Sequence, residues 1–356
     1  MVPTIRDVAR AAGVSIATVS RVFNNNSLVN SETAGRVLQV AADLDYWPNS
    51  AAQGLATRST RTLGVLLPDI FGEFFSDLIQ GMDRQARLND FQILLSSSHS
   101  SSDDVLASTR AMLGRIDGLI MMAPDEESIH TVERVRRRIP VVLLSPRTNF
   151  DCCHSIGLDN FGGAKAAVEH LISLGHERIA FMSGPRGNVD AEDRLRGFHE
   201  AFVATGRDPD RAMVIEGDFR EITGFEAAST LLALDPRPTA VFTANDSMAI
   251  GLLGALNRAG VRVPEDMAVV GFDNVAIAGF LNPSLTTVHV DARGMGARAV
   301  ELLLENIAAG GRGDPVRAVL STKLKIRQSC GVAMERPDAQ GKNITDNRSH
   351  LEDKGS

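Results

Sequence analysis

From position 63 onward the chain alternates short apolar runs with stretches of helical periodicity, and that alternation leaves few folds open. The runs lie at 63–67, 92–95, 118–122, 141–144, 156–158, 179–183, 213–216, 240–243, 268–271 and 285–288. Most are nearly continuous in apolar residues, the pattern of strands buried on both faces. Helical patterns lie between them, as at 74–88, 162–174, 247–259 and 294–308. Repeated strand–helix units predict parallel sheets covered by helices on both faces. Ten strands are too many for one compact doubly wound domain, so the predicted body is α/β, with two doubly wound parallel-sheet subdomains. Ligands in such folds bind in the crevice outside the carboxyl ends of the strands.

The first sixty residues follow a different period. Thr4 with Asp7 three positions on resembles a capping box, and Val8, Ala9 and Ala12 then share one helical face. Gly13 makes a tight turn, and Ser15 caps a second helix whose Val19, Val22 and Phe23 point inward. Ser31-Glu32 opens a third helix with Val37, Ala41 and Leu44 on one side. Two short helices joined this way form a helix-turn-helix, whose second helix enters the DNA major groove. Charge agrees with that placement. Up to position 61 there are six arginines and four acids, a net of +2, so the rest of this −7 chain carries −9. A basic head on an acidic body suits a protein that meets phosphate at one end only. The run from Pro48 to Ala56 is too short to hold a helix alone in water, and Gly54 weakens it by roughly 1 kcal/mol. It is either a plain linker or a hinge that folds only on DNA.

Other classes are poorly supported. The three cysteines, Cys152, Cys153 and Cys330, make no CxxC and no disulfide framework, and they are expected as reduced packing thiols in a cytoplasmic protein. There is no apolar stretch of about 18 residues and no signal-peptide pattern, so neither a membrane span nor export is expected. GxSxG, HExxH, P-loop and GxGxxG motifs are missing and the eight histidines are scattered, so neither an enzyme nor a cofactor or metal is expected. A periplasmic-type solute-binding protein would fit the body but not the head. The polar segment after Met334 is expected to be disordered.

The residues Thr4–Asn24 and Tyr46-Trp47-Pro48-Asn49, taken with His170, Leu174-Gly175-His176, Ala244-Asn245-Asp246, Gly271-Phe272-Asp273 and Pro283-Ser284-Leu285-Thr286-Thr287, resemble the LacI/GalR family of transcriptional regulators. The resemblance runs over roughly positions 3–333. It implies a helix-turn-helix domain at 1–47, a hinge helix and linker at 48–61, and a periplasmic-binding-protein-like effector-binding and dimerisation body at 62–333. The chain is then expected to cross between subdomains near Asp159, Val290 and Thr322. The 334–356 segment carries no leucine-heptad pattern, so a homodimer is expected.

By the same resemblance Ile16, Ala17 and Arg21 discriminate bases. Arg21 has the fork to grip guanine O6 and N7, whereas Ile16 and Ala17 sense thymine methyls or exclude wrong edges. Thr4, Ser15, Thr18, Ser20 and Asn24 are expected to hold phosphates. Tyr46, Asn49, Ala52 and Gln53 are assigned to DNA as well, and Leu55 to a minor-groove wedge. The implied partner is a pseudo-palindromic double-stranded operator with a central CpG. The implied effector is a sugar or sugar derivative, bound by Asp69, Phe71 and Phe74 from the first subdomain and by Arg194, Phe219, Asn245 and Asp273 from the second. Near Ser145 relatives carry an aspartate where this chain has Ser145-Pro146-Arg147, which favours an acidic or phosphorylated effector. Asp246 is open between capping a helix and touching ligand. A global regulator with a protein co-regulator is the alternative within the family.

Overall fold

In the head, each helix starts and stops for a local reason. The computed structural model describes residues 3–23, 29–47, 59–98, 102–122, 128–146, 153–209 and 212–331. Three helices lie in the first 47 residues: α1 (Ile5–Ala12), α2 (Ile16–Phe23) and α3 (Ser31–Asp43). The Thr4 amide and hydroxyl both donate to the Asp7 carboxylate, at 3.0 and 2.7 Å. Gly13 ends α1 at φ 64°, where an L side chain would cost about 1–2 kcal/mol. The Ser15 hydroxyl accepts from the Thr18 amide at 3.1 Å and starts α2, and the Asn30 side chain does the same for α3 through the Thr33 amide. Val8, Val19 and Val37, one from each helix, are fully buried and form the centre of the head. Arg36 of α3 donates to the Ala12 carbonyl at the end of α1, tying the third helix to the first. Leu44 corrects the expectation of an inward side chain. It lies past the last turn of α3, is exposed, and leaves its place in the core to Tyr46.

The body begins with β1 (Thr62–Leu67), α4 (Glu73–Leu88), β2 (Gln92–Ser97), α5 (Ser102–Met112), β3 (Gly118–Met122), α6 (Ser128–Val135), β4 (Val141–Leu144) and β5 (His154–Leu158). It continues with α7 (Asn160–Ser173), β6 (Ile179–Met182), α8 (Val189–Ala204), β7 (Met213–Ile215), α9 (Glu221–Ala233), β8 (Ala240–Thr243), α10 (Asp246–Arg258), β9 (Ala268–Asp273) and β10 (Thr286–His289). It ends with α11 (Ala292–Ala308), β11 (Arg317–Leu320) and β12 (Lys323–Lys325). The strands form two six-stranded sheets, ordered β11-β5-β4-β3-β1-β2 and β12-β10-β9-β8-β6-β7. The first is parallel throughout, and the second is parallel except for the β10–β12 pair. The edge strands β11 and β12 were not foreseen from sequence. They are short and mostly exposed, so they lack the apolar run that marks the central strands.

Among the described residues the chain passes between the sheets after β5, after β10 and after β11. The first two passages share one construction. Asp159 and Asp291 each cap the following helix by accepting from the amide three positions on, Gly162 and Gly294, both at 2.8 Å. The third passage is tied to the first, because the Thr322 hydroxyl donates to the Asp159 carbonyl at 3.2 Å. Helix pairs on each subdomain approach through glycine. A Cβ at Gly81 or Gly296 would run into the backbone of α11 or α4 respectively, and one at Gly224 or Gly251 into the backbone of α10 or α9. Phe181 stacks between Phe198 and Phe242 at 5.1 and 5.2 Å and anchors the second subdomain's core.

The linker enters the body at a fixed point. The Asp117 carboxylate accepts from the Ser59 hydroxyl, the Thr60 amide and hydroxyl, and the Arg61 amide. Cys153 and Cys330 are buried thiols. No helix among the described residues is long and apolar enough to cross a membrane.

Candidate functional site

Helix α2 presents its first turn to solvent because its apolar side is used up by Val19 and Val22. Ile16 is 45% exposed at the start of this turn. Ser15, Ala17 and Arg21 are exposed beside it, while Thr18 and Ser20 are half-buried. The Thr18 hydroxyl is shared with Ser15 at 2.9 Å, so these two side chains form one polar unit at the helix start. Thr4 is exposed at the start of α1. Tyr46 is half-buried. Its ring packs edge-on against Phe23 at 5.8 Å, and burial raises its phenol above the ordinary range. Asn24, Asn49, Ala52, Gln53, Leu55 and Arg147 lie outside the described residues, as do most of the hinge and everything after Gly331.

The second cluster lies in the second subdomain, at the carboxyl ends of β8 and β9, and Arg194 is its centre. This arginine is 4% exposed. Its Nε donates to the Asn160 side chain at 2.9 Å and its Nη1 to the Ala244 carbonyl at 2.5 Å. Nη2 lies 3.7 Å from an Asp273 carboxylate oxygen. The guanidinium covers the Phe272 ring at 3.8 Å and reaches Phe219 at 5.9 Å. Asn160 in turn donates to Asp190 at 2.7 Å. Arginine, asparagine and two aspartates therefore form one connected polar network in a largely dry place.

Asn245 and Asp246 sort out differently from expectation. Asn245 is the cap of α10: its side chain accepts from the Met248 amide and donates to the Phe219 carbonyl. It thereby holds Phe219 in place at φ 70°. Asp246 neither caps nor faces the cleft. It is fully buried and accepts from the Thr287 hydroxyl at 2.6 Å and the Val275 amide at 2.9 Å, pinning the loop after β9. Ser145, Phe219, Asp273 and Asn274 all have positive φ, four of the seven such non-glycine residues described. That concentration of backbone strain belongs with a site whose geometry is imposed by its surroundings.

Three carboxyl groups crowd this network. Burial pushes Asp273 up to about 7, against the lowering pull of Arg194, with Asp190 adding to the rise. Burial also raises Asp190, opposed first by Arg194. Asp246 rises well above the usual carboxylate range from burial and then from the charge of Asp273. A carboxyl whose folded value exceeds its unfolded one stabilises the fold below the unfolded pKa and loses that contribution as pH rises through the folded value. Each unit of difference is worth about 1.4 kcal/mol. The protein is therefore expected to lose stability as pH rises from about 4 to about 7, the span between the ordinary carboxylate value and that of buried Asp273. In thermal melts the difference in Tm between Asp273→Asn and the wild type should grow in favour of the variant over that range, by the equivalent of about 3 kcal/mol. A pH-independent difference would contradict the assignment.

A cavity of about 120 Å³ opens beside Asp273, between Phe74, Asp77 and Arg293 of the first subdomain and Asn274 and His289 of the second. Arg293 is held by Asp77 at 2.7 Å. The space is smaller than the roughly 300–1,000 Å³ of an ordinary ligand site. The subdomains touch across it, with the Ile277 amide donating to Glu73 at 3.4 Å. Of the first-subdomain residues expected to bind effector, only Phe74 lines this cavity. Asp69 spends one carboxylate oxygen on the Ile70 and Phe71 amides of its own loop, and Phe71 is 77% exposed. Asn160, Asp190 and Phe272 were missed by the sequence reading. Asp190 had a usable signal, since it precedes Arg194 by four helical positions.

A helix-turn-helix joined to a two-subdomain body with a polar cleft defines a DNA-binding transcriptional regulator that responds to a ligand. The chain belongs to the lacI family of bacterial regulatory proteins. The family model of that description matches residues 4–49, and a periplasmic binding protein-like domain matches residues 168–330. Catabolite control protein A of Priestia megaterium is 36% identical over 302 residues, covering 84% of this chain and 91% of that protein. The HTH-type transcriptional repressor PurR of Vibrio cholerae is 34% identical, with 85% and 91% covered. Among solved structures, a lac repressor dimer bound to operator and the anti-inducer ONPF superposes with a TM-score of 0.82 at 31% identity, covering 93% of this chain and 99% of that one. A complex of the regulator CelR with cellobiose gives 0.70 at 31% identity, with 92% and 99% covered.

Proposed function

We propose that this chain is a cytoplasmic repressor that binds a pseudo-palindromic operator as a homodimer and is controlled by a neutral, hydroxyl-rich metabolite in the cleft. The carrying observation is the buried Arg194–Asp273 pair beside a cavity too small for an ordinary ligand. Ligand entry then requires the subdomains to part, and a ligand acts through its differential affinity for the two arrangements. The described charges favour a neutral ligand over an acidic one. Arg194 is already held by Asp273 and Arg293 by Asp77, and Asp190 adds a further carboxyl beside Arg194. Carboxylates accept paired hydroxyls, whereas a second anion would meet repulsion. In the head, Ile16, Ala17 and Arg21 read bases, and Ser15, Thr18, Ser20 and Thr4 position the backbone; Asn24, Asn49, Ala52, Gln53 and Leu55 join them. The dimeric operator complex of the lac repressor and the cellobiose complex of CelR support the assembly and the ligand class.

A thermal-shift screen of neutral sugars, sugar acids, sugar phosphates, nucleosides and purines tests the cleft. A neutral sugar at a hundredfold excess over its Kd should stabilise the protein by about 2.7 kcal/mol. Hits confined to acids or phosphates would overturn the ligand class, and no hit at all would favour a protein co-regulator.

A further inference from the structure

A second concave site lies on the outer face of the first subdomain, between α5 and α6, away from the cleft residues. It encloses about 410 Å³, within the range of small-molecule sites and larger than the cleft cavity. Its floor is apolar, built from Leu106, Leu113 and Val135. Its rim carries Arg110, Arg134, Arg137 and Arg138, and no carboxylate is among the lining residues. All four arginines are exposed, and none makes an ion pair in the described structure. Their neighbour Arg136 differs, being paired with Glu133 at 2.9 Å. A solvated arginine-rich face would account for the rim alone. It does not account for Thr109.

Thr109 also lines the pocket, is 1% exposed, and its hydroxyl has no hydrogen-bond partner among the described residues. Within a helix, threonine ordinarily satisfies its hydroxyl by bonding back to a carbonyl one turn earlier. A buried hydroxyl left unpaired loses its hydration with nothing in return. A buried hydroxyl in the lining and four exposed guanidinium groups on the rim are the donors that an anion requires, planar forks and a hydroxyl sharing the oxygens of one group. The apolar floor calls for a body attached to that group.

We propose that the α5–α6 pocket binds an organic phosphate, its phosphate oxygens held by the rim arginines and the Thr109 hydroxyl and its ring or chain resting on Leu106, Leu113 and Val135. The ligand is a nucleotide-like phosphate ester rather than free inorganic anion, because most of the lining is apolar. The site is separate from the cleft and would add a second chemical input to the regulator.

Calorimetry on the full-length protein at about 150 mM salt tests this with adenosine 5′-diphosphate and with inorganic pyrophosphate as probes. The diphosphate should bind saturably and at least about tenfold more tightly than pyrophosphate. Arg134→Ala combined with Arg138→Ala should weaken it by about tenfold or more while leaving Tm close to the wild type, since both side chains are exposed. Thr109→Val, which keeps the shape and removes the hydroxyl, should weaken it about threefold to tenfold without lowering Tm. Equal affinity for the two probes would overturn the organic-phosphate assignment. Absence of saturable binding at this salt, or binding unaffected by either variant, would overturn the site.

Discussion

Arg194→Ala is expected to destabilise the body by about 3–5 kcal/mol, the usual cost of breaking a buried ion pair by removing one partner. The side chain satisfies the Asn160 oxygen and the Ala244 carbonyl and faces Asp273, and all three lose that partner at once. Asp190 and Asp273 are left without the positive charge that opposes their rise. Differential scanning calorimetry should show Tm lower by roughly 10 °C for a body of this size, and the stabilisation by any cleft ligand should vanish. Arg194→Lys keeps a charge but not the fork, so it should recover part of the stability and little of the binding. A Tm unchanged in Arg194→Ala would mean that the network is not the structural centre of the cleft.

Arg21→Ala is expected to reduce operator affinity by about 10- to 100-fold per half-site, the value of one bidentate arginine–guanine contact, about 1–3 kcal/mol. The residue is exposed on α2, away from Val19 and Val22, so the head should remain folded. The diagnostic is specificity rather than affinity. Against a panel of operators altered one base pair at a time, the variant should become indifferent at one symmetric pair of positions and keep its preferences elsewhere. A uniform loss across the panel, with a shallower salt dependence, would make Arg21 a phosphate contact instead.

The parts of this molecule that were legible in sequence are those with a period or a cap. Continuous apolar runs gave the central strands because these are buried on both faces, and Val8, Val19 and Val37 gave the head's core because helical spacing placed them together. Two of the four edge strands, β11 and β12, were not legible. Arg317 to Leu320 and Lys323 to Lys325 are strands because a neighbouring strand offers its hydrogen bonds, which no local pattern records. Of the residues carried across by resemblance, Arg194 and Asp273 stand together in the buried network. The site was illegible where roles come from neighbours distant in sequence. Asp246 is open, from sequence, between a helix cap and a ligand contact, yet Thr287 and Val275, far along the chain, give it a different task. Asn160 joins the site only because α7 and α8 pack side by side, which places it 34 positions from Arg194 in sequence and within hydrogen-bond distance in space.

The most direct test is the affinity of the full-length protein for an operator selected from random DNA, measured by fluorescence anisotropy with and without the compound that stabilises the cleft. Coupling between two such sites is typically about 1–3 kcal/mol. The dissociation constant should therefore change by about fivefold or more in the wild type and stay fixed in Asp273→Asn. An operator affinity that does not respond to a ligand bound in the cleft would contradict ligand control of DNA binding.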